Sequence, residues 1–390
     1  MARLAALNLN ARCIDIDTYP AIGIVAFKLL PIDKTRVANL MSAASDIAIA
    51  ARSLVDGARS RVYEDIDGVV VEVPYAQTQT LKLSKIMHES YGGRLAYGIS
   101  RDGKPLAIDL SNPSTPHVLI AGTTGSGKTA LMHSMMLGLS HPRSENTRFV
   151  WVDPKRFDRS WLVPVLGLAY CPQIEDANAA VECLRFLVRA MDSSKYLHDG
   201  RILIFIDELA DLIEVGGDEA KTLLRRIAQK GREYRIHLIL ATQKPLMKIL
   251  DPLLVSNIPA RLVLRVTTAI DSKTASGLEG VGAELLPGSG HGYAVVNGQS
   301  SRFIAAMPDD YGKAETFQAN PERVLLAPVA QGPLQTQAPI KRPDDYTLAE
   351  RVALLRVWNP KISMTIAQKA LAPPGTGGGF YAIKEAWGDE

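Results

Sequence analysis

Residues 117–129 read His117-Val-Leu-Ile-Ala-Gly-Thr-Thr-Gly-Ser-Gly-Lys-Thr129. An apolar run of strand character at 117–121 leads straight into Gly-x-x-x-x-Gly-Lys-Thr, and a helical pattern over 130–139 follows at once. Strand, loop, lysine, hydroxyl and helix in this order define a phosphate-binding loop rather than a plain glycine turn. Its expected nucleotide contacts are Gly122, Thr123, Thr124, Gly125, Ser126, Gly127, Lys128 and Thr129. Glycines let the backbone turn its N–H groups and the start of the helix toward polyphosphate, where amide donors and the helix dipole both favour anions. Lys128 is expected to reach the β- and γ-phosphates of ATP, and the Thr129 hydroxyl to hold Mg2+.

Downstream of the loop, strand-like and helix-like segments alternate. Strands are expected at 149–153, 202–207, 237–241 and 261–266, with helices at 178–191 and 219–232. Buried apolar strands separated by helices imply an α/β fold with a mainly parallel sheet, the loop sitting at a strand's carboxyl end. The preceding segment is of α+β character, with a strand over 14–30, a helix over 34–54, turns at 65–68 and 101–104, and a strand at 69–73. The expected division is an N-terminal α+β domain at 1–110 and a nucleotide-binding domain at 111–317. A Pro- and Gln-rich linker at 318–345 and a small helical module at 346–390, of helix-turn-helix or winged-helix type, complete it.

Composition narrows the class. The chain has 390 residues, 47% of them hydrophobic, enough for two or three cored domains. No stretch approaches the roughly twenty apolar residues of a membrane helix, and the start lacks a signal-peptide pattern, so the expectation is a cytoplasmic protein. A formal net charge of +3 neither demands nor excludes a polyanion. Cys13, Cys171 and Cys183 are odd in number and widely spaced, which indicates neither a disulfide framework nor a zinc site.

Two further segments carry chemistry. Ile202-Leu-Ile-Phe-Ile-Asp207-Glu208 is an apolar strand ending in two carboxylates. Asp207 suits the magnesium shell and Glu208 suits a general base that polarises water, although an acidic pair at this position also serves as a helix cap. The strand ending in Thr242-Gln243 offers a polar pair for sensing the γ-phosphate, with Gln243 the better candidate because an amide both donates and accepts. Asp153 ends another strand, where it can support the magnesium shell or simply make a turn.

The segments TPHVLIAGTTGSGKT, VWVDPKRF, ILIFIDELADL, RRIAQKGREYRIHLILATQKP and SNIPARLVLRVTTAIDSKTAS closely resemble the motor of the FtsK/SpoIIIE DNA translocases. The resemblance runs over roughly 14–296. It implies a RecA-like core, a hexameric ring with double-stranded DNA through its centre, and ATP at subunit interfaces. It also implies that Arg232 acts on the neighbouring subunit's nucleotide, where a fixed guanidinium neutralises transition-state charge, with Arg261 a second candidate. DNA contacts carry over to Lys244 and Lys273, with Lys248 an added cation. Lysine contacts with phosphate follow a duplex without reading bases.

Departures from the family pattern are equally specific. Val255 and Ala269 stand where chromosomal members usually carry lysines. The basic run Lys221, Arg225, Arg226, Lys230, Arg232 and Arg235 also reads as a solvated helix face. The family's membrane region and long linker have no counterpart here, which raises the expectation of an unanchored form encoded by a phage, plasmid or other mobile element, with any docking partner unidentified. The leading expectation is an ATP-driven double-stranded DNA translocase. A genome-packaging or conjugative DNA-transfer ATPase, and a nucleotide-switched partition or regulatory protein, are the alternatives.

Overall fold

The computed structural model describes residues 9–51, 60–65, 68–75, 80–141, 147–154, 165, 168–171, 173–193, 200–245 and 251–309. The expected linker at 318–345, the helical module at 346–390 and Lys248 lie outside the described residues.

The N-terminal segment forms a four-stranded antiparallel sheet of order β1-β2-β4-β3, from β1 (Ala11–Tyr19), β2 (Ile24–Pro31), β3 (Arg61–Asp65) and β4 (Gly68–Pro74). The single strand expected over 14–30 is a hairpin. Pro20 opens a 3-10 turn that closes at Gly23, whose φ of 63° lies in the left-handed region that glycine enters without strain. The helix expected over 34–54 is divided into α1 (Val37–Ser42) and α2 (Ala44–Ala50). Both place one apolar side chain, Leu40 and Ile47, into a core with Leu29, Val69 and Val71. Each such burial contributes about 1.5–3 kcal/mol.

A nine-stranded sheet of order β6-β5-β13-β12-β11-β7-β10-β9-β8 makes up the rest. Its strands are β5 (Arg94–Ser100), β6 (Pro105–Asp109), β7 (Val118–Ala121), β8 (Thr147–Val152), β9 (Arg201–Ile206), β10 (Ile236–Thr242), β11 (Ala260–Leu264), β12 (His291–Val296) and β13 (Gln299–Ala305). From β11 through β7, β10 and β9 to β8, neighbours run parallel. The antiparallel strands β12, β13, β5 and β6 extend the sheet on the other side of β11. The turn expected at 101–104 joins β5 to β6, and this hairpin pairs with β13. The boundary expected near 106–111 therefore falls within the large sheet.

Both faces of the parallel half are covered, which is why its strands read as continuous apolar runs rather than alternating ones. Along β9, Leu203 and Phe205 join Met132 and Met135 of α3 (Lys128–Gly138) on one face. Ile202, Ile204 and Ile206 join Leu184 of α4 (Ala177–Asp192) and Leu224 of α5 (Leu209–Lys230) on the other. Helix α5 is two helical segments joined by a kink at Gly217; the helix expected from 219 is the second of them, and the first, from Leu209, precedes it. Gly217 keeps non-helical angles (φ 56°, ψ −141°) between the two. Two short helices follow, α6 (Pro252–Val255) and α7 (Ala269–Ser276).

Buried polar contacts tie the two sheets together. Arg61 of β3 donates to the Tyr293 hydroxyl of β12 and the Val281 carbonyl, and Arg302 of β13 pairs with Glu72 of β4. The Tyr63 hydroxyl completes Glu72 at 3.1 Å. None of the helices among the described residues is long and apolar enough to cross a membrane.

Candidate nucleotide-binding site

The parallel register decides what meets at the carboxyl edge of the sheet. Ala121 at the end of β7 aligns with Thr242 of β10 and with Val263 of β11, while Ile206 of β9 aligns with Leu240 of β10 and Val152 of β8. Strand β10 therefore stands between the phosphate loop and the acidic pair. Thr242 and Gln243 project from that edge between them.

The loop is fixed by backbone bonds to distant strands. The Gly122 N–H donates to the Thr242 carbonyl at 3.2 Å, the Thr123 N–H to the Arg265 carbonyl at 2.9 Å, and the Gly290 N–H to the Ser126 carbonyl at 2.9 Å. Gly127 adopts φ 102° as the residue preceding α3, and a Cβ there would stand 3.0 Å from the Gly290 nitrogen. At Gly122, a Cβ would meet the Ser126 Oγ at 2.5 Å and the Leu264 Cβ at 2.9 Å. Both positions need glycine for space, and Gly127 also for its backbone angle.

Lys128 is buried, and its Nζ donates to the Asp207 carbonyl at 2.9 Å and to Asp207 Oδ1 at 3.2 Å. The Thr129 hydroxyl lies 3.3 Å from the same Oδ1. The buried Asp207 Oδ2 has no hydrogen-bond partner among the described residues. A carboxylate oxygen left in this way beside a hydroxyl is a hard-oxygen donor set that suits Mg2+. Thr129 and Asp207 are the residues that would hold that ion.

The Glu208 side chain is not engaged as a helix cap, although the residue occupies the position preceding α5. Its Oε1 instead accepts from the Thr242 hydroxyl at 3.0 Å and from the Gln243 N–H at 3.2 Å, with Oε2 at 3.3 Å from that N–H. The Gln243 side chain faces the loop, its Oε1 accepting from the Thr124 hydroxyl at 2.8 Å. Asp153 is buried at the end of β8, where its Oδ2 accepts from Gln173 Nε2 at 3.4 Å.

The remaining sequence candidates lie elsewhere. Arg232 is exposed in the 3-10 turn Gly231–Tyr234 after α5. Arg261 sits near the amino end of β11, opposite the loop, with its guanidinium against Gly277 and 3.5 Å from the Val255 carbonyl. Lys244 is exposed directly after Gln243. Lys273 is exposed on α7 and pairs with Glu279. Of the basic run, Lys221 pairs with Asp218, Arg225 with Asp251 and Arg226 with Asp192, as the solvated-face reading expects. Val255 is half-buried against the core and Ala269 opens α7, so neither position presents a cation.

Sequence reasoning missed the roles of Thr242 as a partner of Glu208, of the Arg265 carbonyl and of Gly290. The last two act through backbone atoms more than a hundred residues from the loop, and no local pattern marks them.

Residues 82–201 and 198–246 match the model of the FtsK/SpoIIIE family. The chain carries an FtsK/SpoIIIE family domain. It is 30% identical over 326 residues to DNA translocase FtsK 2 of Ralstonia nicotianae, covering 70% of this chain and 41% of that protein. Identity to DNA translocase FtsK of Helicobacter pylori is 31% over 309 residues, covering 70% of this chain and 35% of that protein. The chain thus spans about two fifths of the length of these FtsK relatives. Among solved structures, the pCW3 conjugation coupling protein TcpA shares the fold, with a TM-score of 0.53 and 17% identity over 80% of this chain and 94% of that one. The FtsK/SpoIIIE domain is of the P-loop ATPase class, and its matched residues include Lys128, Thr129, Asp207, Glu208, Arg232, Gln243 and Lys244. Arg261 and Lys273 lie beyond the match.

Proposed function

We propose that this protein is an ATP-driven double-stranded DNA translocase that works as a ring, most simply a hexamer. The observation that carries this reading is the convergence of Lys128, Thr129, Asp207, Glu208 and Gln243 on one edge of the sheet. Kinship with the FtsK translocases supplies the duplex as the track.

The roles divide by chemistry. The loop amides and Lys128 bind and orient the phosphates, and Thr129 with Asp207 would hold Mg2+, which would supply positive charge against the phosphates. Glu208, hydrogen-bonded beside the loop, takes the proton of the attacking water. Gln243 spans the loop and the base, a position suited to reporting the γ-phosphate. Arg232, exposed after α5, acts in trans on the next subunit's nucleotide in this reading, with Arg261 as second candidate. Lys244 and Lys273, together with Lys248, contact DNA phosphates.

The test is ATP-dependent displacement of a triplex-forming strand from linear duplex. Displacement by the wild type and none by Lys128→Ala supports the translocase. Duplex binding and ATP turnover without displacement would instead support a nucleotide-switched DNA-binding protein.

A further inference from the structure

Thr242 is fully buried at the carboxyl end of β10, and three groups meet at its one hydroxyl. Its oxygen accepts from the Lys244 N–H at 3.2 Å. Its proton has two acceptors, Glu208 Oε1 at 3.0 Å and the Lys244 carbonyl at 3.3 Å. A hydroxyl carries one proton, so it serves the carboxylate or the carbonyl, never both at full strength. The intervening Gln243 donates its N–H to Glu208 and accepts from Thr124 of the phosphate loop. Lys244 itself is exposed, and Pro245 is buried immediately after it. A cation on the surface is thus joined by two residues to the hydroxyl that holds the base.

We infer that Thr242 is a positioning residue for Glu208, and that the Thr242–Lys244 turn makes ATP hydrolysis depend on duplex contact. The inference rests on the proposed roles of Glu208 and Lys244. In the arrangement seen here, the hydroxyl and the Gln243 N–H dock the carboxylate on the end of β10. A duplex phosphate drawing on Lys244 shifts its backbone, and the Thr242 proton transfers its hydrogen bond to the Lys244 carbonyl. Glu208 then loses one donor and turns toward the phosphate loop. No bond is made or broken beyond these hydrogen bonds, so the device costs little and reverses when DNA leaves.

The experiment compares the full chain with Thr242→Val, which keeps shape and removes the hydroxyl, and with Thr242→Ser, which restores it. Steady-state ATPase is measured with and without linear duplex. The expected result for Thr242→Val is a several-fold higher DNA-free kcat, an ATP KM near wild type and a stimulation ratio falling toward one. Thr242→Ser should return the ratio to the wild-type value. A wild-type ratio in Thr242→Val, an equal loss of kcat with and without duplex, or a wild type indifferent to duplex would each overturn the inference. Should Thr242→Val not fold, Thr242→Ala reads the same ratio. Glu208→Gln separates the two levels: wild-type turnover there removes the role of Glu208 as base, whereas lost turnover together with an unchanged ratio in Thr242→Val removes only the positioning role.

Discussion

The Lys128 ammonium and the Asp207 carboxylate form a buried ion pair at 3.2 Å, with side chains 3% and 1% exposed. Burying two charges costs several kcal/mol each before their attraction is counted, so stability alone is a poor reason to keep such a pair. Its placement between the phosphate loop and the metal-suited Asp207 gives it a chemical reason. Lys128→Ala should abolish ATP turnover and weaken nucleotide binding, because it removes charge at the phosphates and leaves Asp207 buried without its cation. A fluorescent-nucleotide titration beside an ATPase assay checks both; wild-type turnover would remove Lys128 from the site.

Glu208→Gln keeps the shape and an oxygen that can still accept from Thr242. Nucleotide binding should persist while hydrolysis slows by about 10²–10⁴-fold, the usual worth of a positioned base. Single-turnover kinetics with saturating ATP read this directly, and an unchanged rate would assign the base elsewhere.

Arg232 is exposed at the far end of α5 from Glu208, so its effect should fall on a neighbour. Arg232→Ala and Lys128→Ala should each be inactive alone. Mixing them should restore part of the activity, because some interfaces join an intact loop to an intact arginine. An arginine acting in trans contributes about 10³–10⁵-fold in related phosphoryl transfers, so even few restored interfaces are measurable. Mixed samples as inactive as their parents would refute the trans role.

Four buried histidines should make the fold sensitive to acid. Burial pushes His117, His133 and His291 down to about 3 and His237 to about 4, with the ring of His237 adding to the effect on His117, Lys128 to that on His133, and Arg302 to that on His291. Above the unfolded value of about 6.5 both states are neutral, and these groups contribute no pH dependence. Below it the unfolded chain takes up protons that the folded chain refuses. Stability should fall as pH drops from about 6.5 toward 4, by up to about 1.4 kcal/mol per pH unit for each histidine. Urea midpoints between pH 7 and pH 5 test this, and His117→Asn should remove one proton from the slope.

Glu72 and Arg302 join the two sheets with side chains only 5% and 7% exposed. Glu72→Ala leaves the guanidinium buried and unpaired, and should cost about 3–5 kcal/mol. Glu72→Leu combined with Arg302→Met should recover most of that loss. Urea denaturation of both variants measures the difference, and a loss below about 1 kcal/mol for Glu72→Ala would show that the junction relaxes or admits water.

Much of the site was legible because its parts are local. A phosphate loop is a strand, six turn residues, a lysine and a helix in unbroken order, and the pair Asp207-Glu208 follows its strand directly. The hairpin around Pro20 and Gly23 was readable in principle, but apolar residues on both sides hid it within one long run. Gly216 and Gly217 mark the kink of α5, so the sequence pattern shows only the segment after them. Packing of Leu209, Leu212 and Ile213 into the core holds the first segment, while Gly217 keeps its non-helical angles between the two.

The phosphate loop, the acidic strand end, the alternation of strands and helices and the kinship with the FtsK/SpoIIIE domains are all written in neighbouring residues. Long-range packing, in contrast, decided that β10 lies between the loop and the acidic pair. It likewise decided that Glu208 is held by Thr242 rather than capping its helix, and that three cations of the basic run are spent on ion pairs. Strand order and register are set by which apolar faces pack together across the whole chain, and no local spacing encodes that choice.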